Sequence, residues 1–459
     1  MTRTCKNVAK LIVATTVCAF AFSLAQPAFP AWLDGVKELK VGDRTFPVCP
    51  EEEWVRAGFP LRRVPDDKNA AIEYINAINL YVKEPESLSD LHSYVLQNVW
   101  IDEAKALVPW LEQNAPAIAA LREGAKKDDC MFPLLKEPGV PMMNLLLPHL
   151  STMRSLARLL AIQGKYFESQ GKYREALDNY LLIARMGYQV SKEPILISGL
   201  VGVALDAISA KAIEECIFRH DFETETLAWL LEKLQVVPSA AENYGIAISG
   251  EKAFGISVVD DLFENRVSLA DIGETALGRK LSLRVALPAR GMKLLGLKAI
   301  MKSDFRKYWN WMDEWNSLPD HIALRQENMR ADEIIEQLPA WSLAKMLAPA
   351  ISRARIAFVR DKATRSMLRA EIALRIYRNQ KGQYPESLAA LKGTVEDIPV
   401  DPFTNEPLKY KRTEDGFVVY SVNENLVDDG GEIGERKEDK DLVRRYPLPR
   451  REPFKAPGP

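Results

Sequence analysis

Glu251, Asp260, Asp261 and Glu264 form the densest group of carboxylates inside a helical run of this chain, and paired carboxylates in an all-helical fold can hydrolyse glycosidic bonds. Acids three or four residues apart also line any exposed helix face, and that plainer reading is the expected one. His92, His149, His220 and His321 are scattered, with no H-E-x-x-H pair or other metal-ligand spacing, so structural or surface roles are expected of them. No G-x-S-x-G elbow, phosphate loop or dinucleotide fingerprint occurs. Tyr308, Trp309, Trp311 and Trp315 could stack on a sugar or a peptide. Tyr308, Trp311 and Trp315 also share one helical face, the pattern of a core stripe, and core packing is expected. Near the C-terminus the acids between Glu424 and Asp441 form a dense run of the kind that ordinarily makes a solvated loop.

The elements that must position these residues follow from length and pattern. A chain of 459 residues exceeds a single hydrophobic core, so two or three domains are expected. With 47% hydrophobic and 27% charged residues it has the composition of a globular protein, and its net charge of -2 gives no basis for binding nucleic acid. Arg3, Lys6 and Lys10 precede the apolar run 11–24 and the sequence Ser23-Leu24-Ala25, which reads as a signal peptide over residues 1–25, cleaved after Ala25. A spanning helix needs about 20 apolar residues, and this run is shorter and interrupted by Thr15 and Thr16. Later in the chain the best apolar segment, 195–205, stops at Asp206 and suits a buried helix, so no spanning helix is expected after cleavage. Export places the protein in the periplasm or outside the cell, where disulfides persist. Cys49 with Cys130 is the expected pair, leaving Cys216 as a buried thiol in a helical pattern. With no C-x-x-C spacing, neither a thiol redox site nor a zinc site is supported.

Residues 26–65 read as an N-terminal extended segment. From 66 to 236 apolar residues recur at three and four residue spacing between short turns, predicting stacked helices, with Ile72, Ile75, Ile78 and Tyr81 on one face of the first. Within residues 156–187, Gly164 and Gly171 bracket a turn, and Gly164, Ala176 and Tyr180 fall where a tetratricopeptide repeat places the contacts between its two antiparallel helices. This stretch resembles one such unit of about 34 residues. Helical hairpins converge on the same spacing by packing alone, so a hairpin array rather than a regular solenoid is expected. Residues 237–361 continue as a second helical portion.

After residue 362 a long amphipathic helix carrying Met367, Ala370, Leu374 and Tyr377 gives way to short alternating strands, predicting a separate domain over 362–446. Gly382 supplies the helix stop, Pro385 opens a short second helix, and Asp415-Gly416 marks a hairpin between the strands 408–412 and 417–422. The ordered set Gly382-Gln383-Tyr384-Pro385, Asp401-Pro402-Phe403, Leu408-Lys409-Tyr410, Phe417-Val418-Val419-Tyr420-Ser421 and Asp429-Gly430-Gly431 resembles the globular domain of type II secretion major pseudopilins. That resemblance implies a small α+β domain whose loop after the last hairpin strand wraps a calcium ion. Asn425, Asp428, Asp429, Asp439 and Asp441 would be its ligands, hard oxygens of the type that calcium prefers. A pseudopilin begins with its assembly helix, whereas a helical body precedes the domain here, so pilin-like polymerisation is not expected. Residues 447–459 form a basic, proline-rich tail expected to stay extended.

The expected protein is therefore mainly α, with stacked hairpins that are tetratricopeptide-like in part and a small pseudopilin-like α+β domain. Its expected role is that of a non-enzymatic scaffold or protein-binding protein of the bacterial cell envelope, associated with a type II secretion or pilus-like system and with an envelope protein as partner. The alternative is a secreted hydrolase acting on envelope polymer through carboxylates of the helical region.

Overall fold

A computed structural model describes residues 35–60, 62–267, 297–326, 336, 343–395, 397–434 and 440–448. The signal peptide, Asp439, the tail beyond residue 448 and residues 268–296 of the expected second helical portion lie outside the described residues. The architecture is mainly helical, with a few small sheets.

The expected extended segment 26–65 folds, where described, into a hairpin and a helix. Strands β1 (Glu38–Val41) and β2 (Arg44–Pro47) pair antiparallel, and helix α1 (Glu51–Ala57) ends at Gly58, whose φ is +66°. These elements are too short for periodicity to announce them; long-range contacts hold them instead. Trp54 is buried and its Nε1 donates to the Cys49 carbonyl at 3.0 Å. The Gly42 amide donates to Asn79 Oδ1 at 2.8 Å on α2 (Ala70–Leu80). Asn69 caps α2 by accepting from the Ala71 amide, and Tyr74, Ile75 and Ile78 face inward, while Tyr81 falls just past the helix end.

Next come α3 (Ser89–Gln97), α4 (Val108–Gln113) and α5 (Ala115–Ala125), followed by the long antiparallel helices α6 (Pro148–Ser169) and α7 (Tyr173–Val190). A Cβ at Gly164 would fall onto the Tyr180 ring, so the glycine lets α6 approach α7. Helix α8 (Leu196–Arg219) crosses α7 where Gly187 meets Gly202 backbone to backbone. The sequence suggested that this run was too short to span a bilayer; α8 nonetheless has the length and apolarity of a membrane span. It is packed in the core, and its acids are engaged: Asp206 with Arg365, Glu214 with Arg444, and Glu215 with Lys165 at 2.7 Å. Helices α9 (Thr224–Val236), α10 (Tyr244–Phe263), α11 (Leu297–Ser317) and α12 (Asp320–Gln326) lead to α13 (Leu343–Lys381).

Helix α13 runs without a break through position 362, where the pattern suggested a boundary, and stops at Gly382, whose φ is +77° and whose amide donates to the Arg378 carbonyl. Strands β3 (Val400–Asp401) and β4 (Glu406–Pro407) form a short ladder, and β5 (Lys409–Arg412), β6 (Phe417–Ser421) and β7 (Leu442–Tyr446) form an antiparallel sheet with β6 central. Phe417 and Val419 point from β6 into the cluster that holds Leu160, Tyr180, Leu205 and Leu374, so sheet and helical hairpins share one core. Tyr446 stacks near Phe218 of α8, ring centres 4.9 Å apart.

Cys49, Cys130 and Cys216 are free, buried thiols, which corrects the expected Cys49–Cys130 bridge. Cys49 packs in the small cluster around Trp54, Met131 and Leu134, whereas Cys130 packs in the main core. The polar sequence around them hid that burial.

Candidate functional site

A cleft of about 190 Å³ opens between α1, the 136–142 segment and the C-terminal half of α10. Helical spacing puts Ser257, Asp260, Asp261 and Glu264 on one face of α10, toward Glu53 and Lys136 on the other wall. The cleft therefore collects three of the four carboxylates singled out from the sequence. Each is already matched to a cation. Asp260 lies 2.9 Å from Lys298 Nζ and 2.7 Å from Lys302 Nζ. Asp261 Oδ1 accepts from Arg266 Nη2 at 2.6 Å, and Glu264 Oε2 lies 2.9 Å from Arg266 Nη1. Glu53, which the sequence reading did not single out, pairs with the buried Lys136 and accepts from the Gly139 amide at 2.8 Å.

These pairings set the acidities. Burial pushes Glu53 up, but the Lys136 hydrogen bond and the Gly139 amide outweigh it and hold the carboxyl below its usual range. Burial likewise pushes Asp260 up, but the Lys302 and Lys298 hydrogen bonds outweigh it and hold the carboxyl below its usual range. Burial raises Glu251, whose Oε1 accepts from the Leu196 amide at 3.1 Å, at the N-terminus of α8. General acid catalysis needs a carboxyl held protonated near the operating pH and facing its partner base. The raised acid here serves as a helix cap, and the lowered ones serve as ion-pair anions.

Two histidine clusters went unseen in the sequence. His149 Nε2 lies 3.2 Å from Glu193 Oε2, Ser198 Oγ donates to the same oxygen, and Phe132 stacks on the imidazole at 4.0 Å. In a hydrolytic triad the histidine stands between hydroxyl and carboxylate; here the carboxylate stands in the middle, and all three side chains are buried. His220 lies 3.0 Å from Glu168 Oε2, and Tyr180 donates to Glu168 Oε1. Glu168 stays below its usual range against the push of burial, because His220, Lys165 and Tyr180 all favour its anion. Partners so far apart along the chain leave no local signal.

No family model, curated protein or solved structure matches this chain.

Tyr308 and Trp315 of the expected core face are buried, as is Trp309, which the spacing left off that face; Trp315 Nε1 donates to the Ala323 carbonyl at 3.0 Å, and Arg355 lies 4.3 Å over the Trp315 ring. Trp311 is half-buried and stacks on Trp315 at 5.8 Å.

The acidic loop runs from β6 to β7. Asp441 accepts from the Gly431 amide at 2.7 Å and the Asp429 amide at 3.4 Å, and Asn425 Nδ2 donates to Asp429 Oδ2 at 2.8 Å. Those three residues come together. Asp428 turns aside, accepting from the Gly430 amide and the Tyr420 hydroxyl at 3.0 Å each, with Lys409 Nζ at 3.8 Å. Burial raises Asp441, and the nearby Asp429 and Asp428 carboxylates raise it further although the loop amides oppose them. Among the described residues no group of three or more His, Cys, Asp or Glu side chains is gathered closely enough to hold a metal ion. The carboxylates crowd one loop, but their oxygens are turned to its amides.

Proposed function

We propose that this chain is an exported, non-enzymatic scaffold of the bacterial cell envelope, with tetratricopeptide-like hairpins that bind a protein partner and a pseudopilin-like C-terminal part fastened to them. The observation that carries this reading is that the described acid–base groups in and around the cleft are committed to holding the fold. Among the described residues lining the cleft, Glu53 is paired with Lys136, Asp261 and Glu264 with Arg266, and Asp260 with Lys298 and Lys302. Association with a type II secretion or pilus-like machine rests on the C-terminal resemblance alone, and a fold does not imply a function. Affinity capture from envelope extracts, paired with gel filtration of the purified chain, tests it. A specific partner displaced by excess untagged chain supports the reading; a free monomer that captures nothing refutes it.

The hydrolase alternative is favoured by one detail, the buried Asp261 Oδ2 that meets no hydrogen-bond donor in the cleft wall. Release of sugars from envelope polymer by the wild type, lost in Asp261→Asn and Glu264→Gln, would establish it. The scaffold reading also assigns calcium to the acidic loop, with Asn425, Asp428, Asp429, Asp439 and Asp441 as ligands. Its support is that Asp441, raised first by burial, is raised further by the nearby Asp429 and Asp428 carboxylates, a repulsion that a cation would relieve. Millimolar calcium should then raise the melting temperature of the full chain, and alanine at Asp429 and Asp441 should remove the shift; no shift in the wild type ends the assignment.

A further inference from the structure

The seam where the C-terminal sheet meets the helical body holds two carboxyls against one guanidinium. Arg444, on β7, reaches in between Glu214 of α8 and Glu371 of α13. Its Nη1 pairs closely with Glu214 Oε2 and lies 3.5 Å from Glu371 Oε2. Glu371 is fully buried, and its Oε1 meets no hydrogen-bond donor. Two carboxyls against a single guanidinium, one of them fully buried, do not both ionise; one proton stays in the seam, and Glu371, out of reach of water, is the carboxyl that keeps it.

Other charges near the seam face elsewhere. Along α13, Arg375 donates to the His220 carbonyl, lies 3.6 Å from Asp221, and sits over the Phe218 and Tyr446 rings. On α8, Glu215 is paired with Lys165 and Arg219. Arg445, beside Arg444 on β7, is exposed. The charges that act on Glu371 are those of Glu214 and Arg444, and burial with the Glu214 carboxyl holds Glu371 well above its usual range against the pull of Arg444.

We infer that Glu214, Arg444 and Glu371 form a one-proton clasp that fastens β7 to the helical body, so that alkalinity loosens the strand. Opening exposes Glu371 to water, where its carboxyl returns to the ordinary range and gives its proton to solvent. A group whose acidity is weakened in the closed form contributes stability that is complete below the open-state pKa and is lost as pH climbs toward the closed-state value. Between those two values each opening releases one proton, so the opening equilibrium of β7 grows by about tenfold per pH unit and then levels off. The inference does not depend on the scaffold reading, since it concerns how this sheet is held, whatever the chain binds.

Hydrogen exchange by mass spectrometry on the full chain, from pH 5 to pH 9 with exchange times scaled for intrinsic base catalysis, reads the opening of β7 directly. The wild type should show the rise of up to tenfold per unit in β7 peptides, while peptides of the α6–α7 hairpin stay flat. Glu371→Gln removes the shared proton and should flatten the β7 profile. Glu214→Gln leaves one carboxylate against one arginine and should flatten it too, which keeps the test intact if either variant folds poorly. A flat wild-type profile, or variants that keep the wild-type slope, overturns the inference.

Discussion

Gly202→Ala tests how closely α7 and α8 are built together. An added Cβ would lie 2.6 Å from the Gly187 carbonyl oxygen and 2.7 Å from Ser191 Cβ, well inside the 3.4 Å at which ordinary contact begins. The first obstacle is backbone, which has no rotamer to retreat into, so the two helices must move apart. Such overpacking costs about 1–3 kcal/mol, against which alanine's better helix propensity returns up to about 1 kcal/mol. The net is a loss of roughly 1–2 kcal/mol. Gly245, exposed near the start of α10, is the built-in control, because nothing lies within 4 Å of its added Cβ. There the same substitution should gain up to about 1 kcal/mol. Guanidinium unfolding followed by far-ultraviolet circular dichroism separates the two by the sign of the midpoint shift at unchanged slope. If Gly202→Ala matches or exceeds the stability of the wild type, the close crossing is not what positions α8.

Three further outcomes follow from the buried polar groups. Lys165→Met should cost about 3 kcal/mol, the low end for breaking a buried pair because Arg219 still lies 3.3 Å from Glu215, and Lys165→Met with Glu215→Leu should recover most of it in the same unfolding assay. Asp361 is held well above its usual range by burial first and then by Asp206, so its contribution fades as pH rises, and Asp361→Asn should gain on the wild type between pH 5 and pH 8 by up to about 1.4 kcal/mol per unit, read from melts across that range. Burial pushes the Cys49 thiol up to about 11, leaving about one thiolate in a thousand at pH 8, so iodoacetamide should label Cys49, Cys130 and Cys216 only after denaturation, and non-reducing mass analysis should find no bridge among them.

Local features were legible in the sequence. The α6–α7 hairpin showed through its spacing, and the Gly164 contact with Tyr180 is the kind that a small residue opposite a ring announces. Gly382 marked the end of α13 and Asp415-Gly416 the turn between β5 and β6, because each of these depends on backbone geometry within a few residues. What stayed hidden depends on partners far along the chain. Asp361, Arg365, Glu371 and Arg375 are buried on α13: Asp206 of α8 pairs with Arg365, Arg444 of β7 with Glu371, and the Ser239 hydroxyl donates to Asp361. The carboxylates of the cleft were found by their density, but that each was matched to Lys298, Lys302 or Arg266 could not be read from spacing. In the acidic loop the number of oxygens was visible, and the amides that occupy them were not.

The unbroken path of α13 has a thermodynamic consequence. At 1.5 Å per residue its 39 residues form a rod about 58 Å long, and its C-terminal half shares one apolar cluster with α6, α7, α8 and β6. Melting the sheet strips the cover from Leu374 and Ile376, and melting the hairpins removes the seat of Phe417, so neither part can lose its structure without unsealing the other. Hairpins and sheet should therefore melt as a single cooperative unit despite the change of pattern at residue 362. Calorimetry would show one transition for them with matching calorimetric and van't Hoff enthalpies; two resolved peaks would place a joint inside α13.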